Sequence, residues 1–173
     1  MLYTRIRLFL IFFFLGVGIL LHIRVCFNGA WYLYAGALLL LITHFLFGPV
    51  WMAFRLLSRG RTEEAERVLD SIRRPDWLIR RNRAYYHFSR GLLHLQRKEL
   101  AEGEAQLYRA LDAGLTRPND RALAHLNLAH IAFVQERYDV ARRQLERSRE
   151  EEVSDLMLKD KQQELEQALQ RVG

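Results

Sequence analysis

Six histidines are the side chains of this 173-residue chain best suited to chemistry: His22, His44, His87, His94, His125 and His130. Imidazole binds transition metals and exchanges protons near neutral pH. His87 and His94 stand seven residues apart, two turns along one helix face, and His125 follows His87 by 38 residues. Brought together from neighbouring helices, three imidazoles would suit a zinc ion. No Asp, Glu or Cys accompanies them at i+3 or i+4, so the spacing favours packed or partly exposed histidines over a ligand set. Cys26 is the single cysteine, which excludes an internal disulfide and a cysteine-based metal cluster. The chain has no Gly-rich phosphate loop, no G-x-S-x-G and no carboxylate pair isolated among apolar residues, and Glu150–Glu152 reads as a solvated run. No enzyme activity, metal or cofactor is expected.

The elements that must carry these residues divide the chain in two. Leu8–Leu21 and Ala30–Phe54 are free of charge, and all 20 acidic residues follow them. The 25 residues of Ala30–Phe54 would make roughly 37 Å of helix, more than the roughly 30 Å apolar core of a bilayer. Leu8–Leu21 reaches spanning length if Arg24 extends its charge toward the headgroups and Val25–Phe27 are included. The expectation is a hairpin of two transmembrane helices over residues 1–54 and an all-α domain over residues 55–173. His44 would then lie within the second span, where an ionisable residue is a functional candidate by default, although a lone neutral imidazole hydrogen-bonded to the other span is the favoured reading.

The net charge of +6 is concentrated just after the apolar third. Residues 55–97 hold 11 arginines against 5 acids, whereas 98–173 hold 12 basic against 15 acidic residues. Arginine-rich flanks mark the cytoplasmic side of a span. Both termini are therefore expected in the cytoplasm, as in a multi-pass inner-membrane protein of bacterial type, with Arg55, Arg59, Arg73, Arg74, Arg80 and Arg81 at the lipid headgroups. A partner nucleic acid is not expected, because basic charge beside a membrane has this simpler reading.

Within residues 55–173 the sequence matches itself at a period of 38. Thr62, Leu100 and Tyr138 fall in register, as do Ala65, Gly103 and Ala141, and Leu69, Leu107 and Leu145. Such a period marks stacked supersecondary units, and apolar residues at helical spacing make each unit two helices. Small residues where the helices cross and bulky ones between them resemble the tetratricopeptide repeat. In residues 125–148 the likeness rests on Ala129, Tyr138, Ala141 and Leu145; in residues 87–110 on Gly91, Leu100, Gly103, Leu107 and Ala110. The family period is 34, and the added residues fit the connectors Arg73–Ile79 and Asp112–Asn119, which contain Pro75, Gly114 and Pro118. Arg90 and the missing Trp at the start of each unit depart from the family pattern. Carried back one unit, the register places Ala53 at a crossing position. The expected array has about 2.5–3 repeats, with Thr62, Asp76 and Asp120 capping helices and Ser154–Val172 as a C-terminal capping helix with a polar outer face.

The resemblance implies a concave groove lined by first helices: Tyr85, Phe88, Leu92 and Leu95 from one unit, Leu123, Leu126, His130 and Phe133 from the next. These are either core of a short stack or a trough for a helix or extended peptide. The expected function is a membrane-anchored scaffold that recruits a partner protein. The alternative is an accessory subunit of a membrane complex acting through its spans. The oligomeric state is not readable from these residues.

Overall fold

The computed structural model describes residues 49–172 together with residues 13, 16, 17, 19, 34–36, 38 and 39. The chain divides into two compact units, Met1–Met52 and Ala53–Gly173. In the first, every described residue is helical. The expected transmembrane hairpin is not found. Among the described residues no helix is long and apolar enough to cross a membrane, which overturns the two-span anchor, the multi-pass placement and the inner-membrane localisation with cytoplasmic termini. Most of Leu8–Leu21 and most of Ala30–Phe54 lie outside the described residues. Hydropathy alone carried that expectation, and an apolar run does not by itself distinguish a span from a buried helix.

The second unit is all-helical among its described residues. Helix α1 comprises residues 49–57, of which 53–57 belong to this unit. It is followed by α2 (Thr62–Asp70), a 3-10 turn (Pro75–Trp77), α3 (Arg80–Gln96), α4 (Leu100–Ala113), α5 (Pro118–Val134), α6 (Tyr138–Glu150) and α7 (Leu156–Arg171). Helices α2, α4 and α6 begin 38 residues apart, and so do α3, α5 and α7. The elements therefore alternate as first and second helices of successive pairs. The C-terminal helix α7 stands in the register of a first helix.

The tightest constraint on each pair is the turn between its helices. Gly60, Lys98 and Glu136, again 38 apart, all adopt the left-handed conformation, with φ of 72°, 62° and 60°. Each turn closes with the same two bonds: Arg61, Glu99 and Arg137 donate to the carbonyls of Leu56, His94 and Ala132, while Gly60, Lys98 and Glu136 donate to Leu57, Leu95 and Phe133. This is the Schellman closure, which normally employs glycine because a Cβ crowds its own carbonyl at positive φ. Only the first turn has glycine.

Beyond the turn, the helices cross on small residues. A Cβ on Gly91 would lie 2.9 Å from Leu107 Cγ, and one on Gly103 would lie 2.8 Å from Leu95 Cδ2. In the next pair Ala129 and Ala141 occupy these positions and are fully buried. The second helices bury one narrow stripe each: Ala65 and Leu69 on α2, Gly103, Leu107 and Ala110 on α4, and Ala141, Leu145 and Ser148 on α6. Spacing of three to four residues puts these on one face.

The capping expectations resolve differently. Thr62 donates its hydroxyl to Gln96 Oε1 at 2.8 Å instead of capping α2. Asp76 sits within the 3-10 turn, and Asp120 accepts from the Tyr85 hydroxyl at 2.6 Å. Asp155, which caps α7 by accepting from the Met157 amide, is the acidic cap the structure contains among the described residues.

The strained turns give a directional prediction. Lys98→Gly and Glu136→Gly should each stabilise the chain by about 0.5–1 kcal/mol, because relief of the left-handed strain exceeds the entropy glycine adds to the unfolded state. Urea unfolding should show a higher midpoint at unchanged slope. A lower midpoint for both variants would show that side-chain contacts outweigh backbone strain at these turns.

Candidate functional site

Three of the four described histidines, His87, His94 and His125, are tied into the helix pairs. His87 Nδ1 lies 2.8 Å from Gln106 Oε1 of the partner helix. Gln106 Oε1 can only accept, so His87 donates. One unit on, His125 Nδ1 makes the same 2.8 Å bond with Gln144 Oε1, and Gln144 in turn donates to the Tyr108 hydroxyl at 3.3 Å. Sequence reading singled out His87 and His125 but missed their partners, although Gln106 and Gln144 carry the same 38-residue spacing. His94 bonds Glu99 across the turn at 2.6 Å, and His130 is exposed. No group of three or more His, Cys, Asp or Glu among the described residues is arranged to hold a metal. His22 and His44 lie outside the described residues.

The expected groove is largely filled by its own chain. Tyr85 and Phe88 are fully buried, packed with Phe54 of α1 at ring-centroid distances of 5.5 and 6.0 Å. Phe54, Leu92 and His130 are register equivalents, so this aromatic cluster is a seam between successive first helices. Leu126 belongs to the core cluster that includes Leu145, Leu158, Leu165 and Leu169, and Leu123 and Phe133 pack against it partly buried. Leu92 and Leu95 are half-buried, and Leu95 points into the α3–α4 crossing beside Gly103. Of the eight residues, Tyr85, Phe88 and Leu126 present no surface to a partner; the groove reading failed there because a short stack buries the positions a longer one leaves open.

Polar contacts hold successive pairs together. Arg97 reaches back to Glu66, and Arg137 to Glu104 at 2.8 Å. Arg90, the departure from the family pattern, stacks over the Tyr86 ring with its Cζ 5.6 Å from the centroid and bonds Asp70 at 2.6 Å. Ser148 donates to the Ala122 carbonyl and accepts from Gln162, joining α5, α6 and α7 through buried polar groups. At the last connector Arg121 clasps both carboxylate oxygens of Glu151 at 2.7 and 2.5 Å, which holds the Glu151 carboxyl below its ordinary range.

The arginines expected at lipid headgroups divide by role. Arg55, Arg59, Arg73, Arg74, Arg80 and Arg81 are all exposed. Arg80 nonetheless donates to the Ala113 carbonyl at 3.1 Å, where a cation complements the end of α4. Arg74 lies over the ring of Trp77, 4.6 Å from its centroid. Their assignment to headgroups rested on an adjoining span, and that ground is gone.

No family model, no curated protein and no solved structure matches this chain. The likeness to tetratricopeptide repeats accordingly rests on the residues named above, and no family is assigned.

The half-buried His87–Gln106 pair generates a pH prediction. Burial, with Arg109 and Arg83 nearby, lowers the His87 pKa, opposed by the Gln106 bond and by Asp76. The folded chain then binds fewer protons than the unfolded one, so this stability is present above the unfolded value of about 6.5 and is lost as pH falls below it. His87→Gln should flatten the stability profile between roughly pH 6.5 and 5, as read by urea midpoints across that range. The Glu151 contribution persists in the variant at lower pH, because a depressed carboxyl loses its stabilisation only as pH falls through its folded value. An unchanged slope near pH 6 in His87→Gln would refute the assignment.

Proposed function

We propose that this chain is a non-enzymatic helical scaffold whose task is to hold a partner protein on its surface. The observation that supports this is the repetition itself: helices, left-handed turns, small-residue crossings and His–Gln bonds all recur at 38 residues, and the potentially reactive imidazoles of His87 and His125 are spent on joining helices. Stacked pairs of this kind offer a rigid, extended face assembled from equivalent positions. Binding needs little more than such preorganisation, since an ordered surface avoids part of the entropy cost of association. Leu92, Leu95, Leu123, Phe133 and His130 are the members of the expected groove that retain exposed surface for a peptide or helix. The alternative that relied on two spans around His44 is not carried forward.

Full-length chain used as bait should return one protein in near-stoichiometric amount. Capture should persist in the double variant His87→Gln, His125→Gln, because neither imidazole reaches the partner. Recovery of no protein above background would overturn the scaffold reading. So would loss of capture in the double variant at unchanged melting temperature, which would make the histidines the working groups.

A further inference from the structure

We infer that the connector between α2 and α3 is a docking edge for an acidic segment of a partner protein, with Trp77 as its anchor. The inference rests on the scaffold reading and names the chemistry of its partner. Residues 71–79, 114–117 and 151–155 each join a second helix to the next first helix, so all three connectors lie along one edge of the array. Equivalent positions on that edge differ in what they bury. Trp77 is 72% exposed, while Leu115, its equivalent 38 residues later, is 4% exposed. Ile79 is exposed beside it. Each connector buries one apolar residue, Leu78 in the first and Leu115 in the next, so the first connector is already anchored through Leu78 and its exposed indole takes no part in that packing.

The charge diverges at the same place. Residues 73–83 contain five arginines and one aspartate, whereas the equivalent residues 111–121 contain two arginines and two aspartates. Arg80 serves the fold through the Ala113 carbonyl, but the equivalent stretch keeps the same helix order with balanced charge, so the fold does not require the whole of this excess. Arg74 lies over the Trp77 ring, its Cζ 4.6 Å from the centroid, and the indole still keeps most of its surface exposed. Trp and Arg together form the side-chain chemistry over-represented at the energetic centres of protein interfaces, and excess positive charge selects an acidic counterpart.

The extent of the patch decides among anionic partners. A nucleic-acid backbone or a lipid surface engages charge along a run, and here the equivalent residues 111–121 are balanced in charge, with Leu115 buried. A single basic connector with one protruding indole instead suits a short peptide that sets an apolar side chain against Trp77 and carboxylates against Arg73 and Arg74.

A fluorescein-labelled peptide with one leucine between flanking Glu-Asp-Glu triplets, titrated into the full chain and followed by anisotropy, tests this directly. It should bind at low salt, and its Gln/Asn counterpart should bind at least about tenfold more weakly. Trp77→Ala and, separately, Arg73→Gln with Arg74→Gln should each weaken the acidic peptide by about tenfold while the thermal melt stays unchanged, since these side chains are exposed. Three results overturn the docking edge: no saturable binding of the acidic peptide, equal binding by wild type and both variants, or a response of these residues to phosphatidylglycerol vesicles or a single-stranded oligonucleotide in place of the peptide. Peptide binding that ignores the variants refutes the edge while leaving the scaffold reading intact, whereas failure to capture any protein bears on the scaffold reading alone.

Discussion

Two helices approach to backbone contact only where neither places a side chain between them, and the rest of this unit depends on that condition at the α3–α4 crossing. The carbonyl of Gly91 lies 3.5 Å from where a Gly103 Cβ would stand. With the axes this close, Leu107 and Leu95 seal the crossing from either side and the left-handed turn at Lys98 becomes the only short route between the helices. Strain at that turn persists because the crossing over-determines it. In the α5–α6 pair Ala129 and Ala141 replace the glycines, yet the turn at Glu136 is unchanged, so turn geometry and small-residue crossing are conserved together from pair to pair.

A fixed pair geometry then determines what each face of the array can do. First helices meet one another along a seam, and the positions that the family resemblance assigns to a groove are the ones that fill it: Phe54 on Tyr85 and Phe88. Burial and the Asp120 carboxylate push the Tyr85 phenol above its ordinary value, keeping the hydroxyl protonated and able to donate across to α5. Beside the surface that Leu92, Leu95, Leu123, His130 and Phe133 retain, the edge of connectors is open, and side chains there are constrained least by the repeat. A departure from the register there carries more functional meaning than conformity elsewhere, which is why Trp77 stands out against Leu115.

Much of this architecture was legible in the residues because the repeat speaks through small and bulky positions that physics cannot exchange. Ala65, Gly103 and Ala141 locate the crossings, and Pro118 opens α5 where its missing amide costs nothing. The turns at Lys98 and Glu136 were not legible, since nothing about a lysine or a glutamate announces a positive φ; only Gly60 hinted at it. Thr62 and Asp120 read as caps from their local sequence, but each found a partner 34 or 35 residues away, a choice that no local signal reveals. The groove residues were identified as a set, and their burial depended on how closely successive first helices approach. The membrane expectation failed for a related reason: hydropathy reports that a segment avoids water, without saying what covers it.

The same register accounts for how the stack is terminated on one face of α7. Positions of α3 and α5 that meet their second helices are Ala84, His87, Phe88 and Gly91, then Ala122, His125, Leu126 and Ala129; on α7 they become Asp160, Gln163, Glu164 and Gln167, all exposed. Meanwhile Leu158, Leu165 and Leu169, together with Gln162 bonded to Ser148, face inward and close the α5–α6 core. Charge follows the same logic. Glu66 and Glu104 receive arginines from the following turns, but the third residue in that register is Arg142, which would repel an arginine arriving in the same way. One face of α7 is thus made to pack and the other to be wet, and the change from small or apolar to polar at three of these four positions, with Gln163 in place of the histidines, converts a repeating element into a cap.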